Sequence, residues 1–185
     1  MVILGAGQAG GNAARMAAAL GAQVTVFERK RERMQQMRAL GDNVTALYPF
    51  DAGIAEALLT ADLLIGAILV PGAKTPKLVS RRQVATMEPG SVIVDISVDQ
   101  GGCIETTHAT TYESPTYVDQ GVVHFGVTNM PGAVPRSASQ ALSAAMIPYL
   151  RELLSPEWRS SPVLSAAINV EDGRLLHPAL REIYR

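Results

Sequence analysis

Residues 2–10 read Val2-Ile3-Leu4-Gly5-Ala6-Gly7-Gln8-Ala9-Gly10, and the reading of this stretch decides the fold. Three apolar residues make a short strand. The glycines then fall at G-x-G-x-x-G spacing, and an Ala-rich helix from Asn12 to Leu20 follows, stopped by Gly21. A strand, a Gly-rich turn and a helix in that order are the context in which this spacing reads as a dinucleotide-binding loop. Gly5 serves the tight turn, Gly7 lets a pyrophosphate approach the backbone, and Gly10 lets helix pack on strand. The unpaired N–H groups that open the helix offer phosphate a partial positive charge. A Gly-rich turn in an unrelated α/β fold is the other reading of the same residues.

Outward from this stretch, strands and helices alternate. Gln23–Phe27, Val44–Leu47, Leu63–Ile68, Ser91–Ile96 and Val122–Val127 read as strands. Arg31–Leu40 and Ile54–Leu59 read as helices, the latter with Asp51 as a plausible cap. Ser80-Arg81-Arg82-Gln83 has capping-box spacing and opens a helix ending near Met87. This alternation, with near-continuous apolar strands, predicts an α/β fold built on a doubly wound parallel sheet of the Rossmann type. Residues 99–121 read as one long irregular segment. After Pro135 the texture turns mostly helical. Ser137-Ala138-Ser139-Gln140 again has capping-box spacing, and a helix runs to about Leu154. Its Leu142, Met146, Tyr149, Leu150 and Leu153 share one face, and Pro148 is expected to kink it. Asp172-Gly173 signals a hairpin turn.

The 185 residues are 48% hydrophobic and 18% charged, with net charge −1. That is too apolar for a disordered chain and too neutral for a general affinity for nucleic acid or anionic membrane. One cysteine excludes a disulfide framework within the chain. No uninterrupted apolar run of membrane-spanning length occurs, and no basic region precedes Val2-Ile3-Leu4, so neither a membrane span nor a signal peptide is expected. The first strand starts at the initiator, so a trimmed chain or a piece of a longer one is expected.

Four groups of residues carry chemistry. Beyond the glycine loop, Glu28 ends the second strand, where an acid accepts hydrogen bonds from the adenosine ribose and disfavours a 2′-phosphate. Arg29, Lys30, Arg31 and Arg33 follow and could attract that phosphate, but they fit a solvated helix start, so NAD is expected over NADP. Asp95 to Gly102 (DISVDQGG) lies at the carboxyl end of a buried strand, where doubly wound sheets bind ligands. Asp95 reads as structural. Asp99, beside a Gly pair, suits proton handling and equally a turn-forming role. Asn129 to Pro135 (NMPGAVP) marks the exit from the sheet, and Asn129 can donate and accept beside a carbonyl, while a Pro-rich linker fits the same residues. His108, His124 and His177 lack metal-ligand spacing with one another or with Cys103, so no metal site is expected. His124 reads as packing, His108 as a possible cofactor contact, and Cys103 has no partnered base.

Together these stretches resemble the alanine dehydrogenases, NAD-dependent enzymes that oxidise L-alanine to pyruvate and ammonia. The similarity also runs through Ala61 to Ala67, Val70 to Lys74, Thr110-Thr111-Tyr112 and Ala167 to Gly173. The chain also resembles the proton-translocating transhydrogenases, which share the Glu-Gln-Gly-Gly type of loop, but its Asn-Met-Pro stretch fits them poorly. The resemblance implies roles. Gly5, Gly7, Gln8, Ala9 and Gly10 would hold the pyrophosphate. Glu28 would hold the adenosine ribose, where relatives usually have Asp, and Arg33 would lie near the adenosine end. Ile68 and Leu69 would line the cleft. Ile96, Ser97, Val98, Asp99, Val127, Asn129 and Met130 would surround the nicotinamide. Asp99 matches the family's catalytic aspartate, and Asn129 would lie beside the substrate. Pro49, after Tyr48, departs from relatives that offer a hydroxyl near the adenosine.

The family's N-terminal substrate half, with its catalytic His and its carboxylate-gripping Arg and Lys, has no counterpart in these residues. The expected organisation is therefore a dinucleotide-binding domain over residues 1–134 and the C-terminal part of an incomplete substrate domain over 135–185. The expected protein is the NAD-binding part of a cytoplasmic, homo-oligomeric alanine dehydrogenase, acting on L-alanine and pyruvate when complemented. Two alternatives stand beside it: a stand-alone, non-catalytic NAD-binding module, and a transhydrogenase-like hydride-transfer domain.

Overall fold

The computed structural model describes residues 1–184. Two compact units divide the chain: Met1–Val70 with Lys74–Thr128, and Pro71–Ala73 with the residues from Asn129 on.

The first unit is a seven-stranded sheet. In chain order its elements are β1 (Val2–Leu4), α1 (Gln8–Ala19), β2 (Val24–Phe27), α2 (Arg31–Arg38), β3 (Val44–Leu47) and α3 (Asp51–Leu58). Then come β4 (Leu63–Gly66), α4 (Arg81–Val84), β5 (Val92–Asp95), β6 (Thr116–Asp119) and β7 (Val122–Phe125). The strand order is β3-β2-β1-β4-β5-β7-β6, parallel except for β6, which pairs antiparallel with β7. After β3 the chain crosses back to place β4 beside β1, so the direction of winding reverses between β1 and β4. Such a reversal leaves a crevice at the carboxyl ends of the two strands, where doubly wound sheets take their ligands.

Alternation along β1 shows why both faces need cover. Val2 and Leu4 join one core with Ile54, Leu58, Leu64 and Ile93, while Ile3 joins the other with Ala14, Ala17, Val26 and Met37. Small alanines on the buried side of α1 let it lie close to the sheet. The capping box expected at Ser80 forms: Ser80 Oγ accepts from the Gln83 N–H, and the Gln83 side chain accepts from the Ser80 N–H at 2.8 Å.

Several expectations are corrected. Asp51 is the first residue of α3 rather than its cap, and Phe50 precedes it with no side-chain cap; its carboxylate favours the helix start through the dipole instead. The segment 99–121 is not wholly irregular, because β6 lies within it. That edge strand alternates exposed Thr116 and Val118 with half-buried Tyr117 and Asp119, so it carries no apolar run. Gln120 and Gly121, at φ 55° and 77°, close it onto β7 as a two-residue hairpin. The fifth strand ends at Asp95, and Ile96–Gln100 turns as a 3-10 helix.

The second unit contains α5 (Pro135–Leu153), α6 (Pro162–Ala166), the hairpin β8 (Val170–Glu171) and β9 (Arg174–Leu175), and α7 (Pro178–Ile183). Pro135 takes the first helical position of α5, which suits its missing N–H. Ser137 therefore lies inside the first turn and does not cap it. The helix runs on through Pro148 and buries none of its residues. Leu142, Met146, Tyr149, Leu150 and Leu153 all remain exposed. Asp172 and Gly173 form the expected turn, both at positive φ.

His124 explains how the β6–β7 edge is held. Its ring is buried, with Nδ1 2.9 Å from the Val122 carbonyl oxygen and Nε2 2.7 Å from Thr106 Oγ1. A carbonyl only accepts, so Nδ1 carries the proton and Nε2 accepts from the threonine hydroxyl. Tyr117 stacks between His124 and His108, and its hydroxyl donates to the Thr106 carbonyl at 2.8 Å. Burial lowers the His124 pKa, helped by His108 and Arg81 and opposed by the Val122 carbonyl and Asp119. A histidine with a depressed folded pKa costs nothing while neutral. Stability is thus expected to fall as pH drops from 6.5, the unfolded value, through the lower folded one. Urea midpoints at about pH 7.5 and about pH 5.5 check this, and His124→Gln is expected to shrink the difference.

Candidate functional site

The site grows from the end of β1. The Gly5 N–H donates to the Phe27 carbonyl at 2.8 Å and the Ala67 N–H to the Leu4 carbonyl at 2.9 Å, so the chain leaving β1 stays tied to both neighbouring strands. A Cβ at Gly10 would overlap the Gly5 carbonyl oxygen and touch Ala67, so α1 crosses the strand end at a distance only glycine permits. Gly7 is different: the nearest atom to a Cβ there is the Arg33 guanidinium, at 3.9 Å. Gly7 precedes α1 in extended conformation with no side-chain cap, and no acid sits in the first turn. Gln8 and Ala9 are exposed at that end. The backbone around Gly7 is therefore open to an anion, which the dipole of a twelve-residue helix favours.

Glu28 follows β2 and is only 8% exposed. Oε2 accepts from the Ala6 N–H at 2.9 Å and pairs with Arg33 at 3.6 Å. Oε1 accepts from the N–H groups of Arg29 (2.8 Å) and Lys30 (2.9 Å). Burial favours the neutral acid, yet the N–H groups of Lys30, Ala6 and Arg29 and the Arg33 charge outweigh it and hold the pKa below its ordinary value. Glu28 thus stays ionised and fastens the glycine loop to the start of α2. A small polar recess of about 130 Å³, lined by Ala6, Gly7, Gln8, Arg15, Arg33 and Gln36 among others, opens beside them.

Across the crevice, the chain leaving β4 carries Ile68, half-buried, and Leu69, exposed. The Ile68 N–H donates to Ser97 Oγ at 2.9 Å. Ser97 and Val98 are buried, Ile96 is half-buried and Asp99 is exposed. Asp95, with no exposed surface, accepts from the N–H groups of Ser97 (3.0 Å), Cys103 (2.9 Å) and Ile104 (3.3 Å). The Cys103 thiol lies 3.6 Å from Asp95 Oδ1. Burial first, and the neighbouring Asp95 charge second, push its pKa up to about 12, so it is a hydrogen-bond donor and no nucleophile.

The first unit thus brings the glycine loop, Glu28, Arg33, Ile68, Leu69 and residues 96–99 to the carboxyl edge of the sheet. Val127 follows β7 and is buried, bridged to Thr110. Asn129, at φ 50°, and Met130 open the second unit. His108 is exposed and stacked on Tyr117. Sequence reading missed the strap from Ile68 to Ser97 and a clamp from Lys77, whose Nζ donates to the carbonyls of Gly101 (2.6 Å) and Ile104 (3.0 Å). Both are contacts between distant loops, with no local signal.

The family model for the alanine dehydrogenase/PNT C-terminal domain matches residues 1–178. The chain is 44% identical to the alanine dehydrogenase of Halomonas elongata, over 100% of this chain and 51% of that protein. A solved L-alanine dehydrogenase superposes with a TM-score of 0.84 at 48% identity, covering 99% of this chain and 52% of the other. A transhydrogenase from Sinorhizobium meliloti gives 0.77 at 30% identity, covering 96% and 49%. The chain spans about half the length of the relatives it matches.

The two loop glycines are expected to respond differently. Gly10→Ala must displace backbone and is expected to cost about 1–3 kcal/mol of stability. Gly7→Ala meets only a movable side chain and is expected to stay within about 0.5 kcal/mol of the parent. Thermal melts of the two variants check this.

Proposed function

The chain belongs to the alanine dehydrogenase/PNT C-terminal domain family, and from that premise we propose that it is the NAD-binding part of an alanine dehydrogenase. Residues 1–134 are read as the dinucleotide domain and 135–185 as the C-terminal part of the substrate domain. The whole protein would interconvert L-alanine with pyruvate and ammonia. The observation that carries the reading is the open backbone at Gly7 in front of α1, beside an ionised Glu28.

The residues present fit a dinucleotide. A Cβ at Gly7 would meet nothing closer than a movable guanidinium, so a pyrophosphate has room against Gly7, Gln8 and Ala9. Glu28 faces the ribose with a negative charge, which selects against a 2′-phosphate and so for NAD. Ile68 and Leu69 would give the cleft an apolar wall. Residues 96–98, with Val127, would take the nicotinamide end. When bound, NAD supplies the hydride acceptor. Asp99 would orient water and balance positive charge on the reacting carbon, and Asn129 would hold the substrate by donating and accepting at its carbonyl and amine. The exposed apolar face of α5 suits a homo-oligomer.

A transhydrogenase-like domain is supported less well, by 30% identity against 48% for the alanine dehydrogenase. Calorimetry with NAD and NADP, alongside NADH absorbance after adding L-alanine, tests the proposal. NAD is expected to bind more tightly than NADP, and Glu28→Ala to erase the preference. Turnover that Asp99→Asn abolishes would rule out the stand-alone binding module. Absence of NAD binding would sink the reading as a whole.

A further inference from the structure

We propose that Asp95, which lies beneath the cleft rather than in it, is the positioning residue that sets the nicotinamide-side wall. The inference rests on the cofactor reading above and adds a residue that the reading does not use.

A fully buried carboxylate needs compensation, and here it comes from one short segment. Ser97, Cys103 and Ile104 donate their N–H groups to Asp95, and the Cys103 thiol adds a fourth donor. The segment between them is thereby folded around the carboxylate. Its turn closes on itself, with the Gly101 N–H donating to the Val98 carbonyl and the Gly102 N–H to the Ser97 carbonyl. The space is cut to the carboxylate: a Cβ at Gly66 would stand 2.6 Å from Oδ1, and one at Gly102 2.7 Å from Oδ2.

Two further ties pass this order outward. Ser97, whose N–H Asp95 fixes, accepts the Ile68 N–H on its hydroxyl, so the chain leaving β4 is held to the chain leaving β5. Lys77 grips the Gly101 and Ile104 carbonyls from the solvent side, and the Leu78 N–H donates to the Cys103 carbonyl at 2.8 Å. Ile68 and Asp99 are thus placed relative to each other through the backbone and hydroxyl bonds that the carboxylate anchors.

Asp95→Asn keeps the shape and inverts one face. Donors approach both oxygens, so whichever way the amide turns, its NH2 meets an N–H. The 185-residue chain is titrated with NADH and with ADP-ribose, which lacks the nicotinamide. D95N is expected to weaken NADH about ten-fold while ADP-ribose stays within about two-fold. Equal weakening of both ligands would mean general destabilisation and overturn the proposal, as would no change in either.

Hydrogen exchange without ligand reads the same claim independently. In D95N the amides of Ile68, Ser97, Cys103 and Ile104 are expected to lose protection together, while Ile3 and Ile93 in the core strands keep theirs. Retained protection at the four would overturn it. If D95N does not fold, the exposed clamp carries the test: Lys77→Met is expected to weaken NADH about three-fold and leave ADP-ribose unchanged. Unchanged NADH binding there would count against the proposal. If the parent chain binds neither ligand, the functional reading fails, and the exchange data still decide what Asp95 holds.

Discussion

Gly10 has no room for a side chain, because the Gly5 carbonyl oxygen occupies the place where one would go. That single close approach presses α1 onto the end of β1 and aims the start of the helix across the crevice. A bulkier residue would push the helix outward and carry Gly7 and the open N–H groups with it. The reversal of winding between β1 and β4 supplies the crevice, and this close approach holds the helix end against the strand that borders it.

The two sides of the crevice use the same physical device. Glu28 and Asp95 each follow or end a parallel strand, each is buried, and each accepts three backbone N–H groups from loops that must hold a fixed shape. A carboxylate is well suited to this, because it accepts from several directions and its charge strengthens each bond. Glu28 also carries Arg33 as a counterion, and Arg33 in turn lines the recess beside Gly7. Asp95 has no exposed surface and is a fastener alone. Asp99, four residues on, is exposed.

The division between what was legible and what was not follows the range of the interactions. The glycine loop, Glu28 and the parallel strands are written in local spacing and periodicity, and the sheet matches them. Asp95 was legible as a structural residue because an acid inside an apolar strand must be satisfied somewhere. Its partners were not, since Cys103 and Ile104 return to it from beyond a turn. The edge strand β6 escaped because Thr116 to Asp119 owes its shape to β7 and to the stack of Tyr117 on His124, not to its own apolar pattern. Asp51 and Ser137 show the limit of capping signals: both have the right chemistry one position or more inside the helix start, where Pro135 sets the boundary in the second case.

The central claim is that a dinucleotide lies across the carboxyl edge between β1 and β4. Amide chemical shifts of the isotope-labelled chain, followed during titration with NADH, test it most directly. The account predicts the largest changes at Ala6, Gly7, Gln8, Ile68 and residues 96–99, with β6 and the α3–α4 side unmoved. Shifts concentrated away from that edge, or none at saturating NADH, would contradict it.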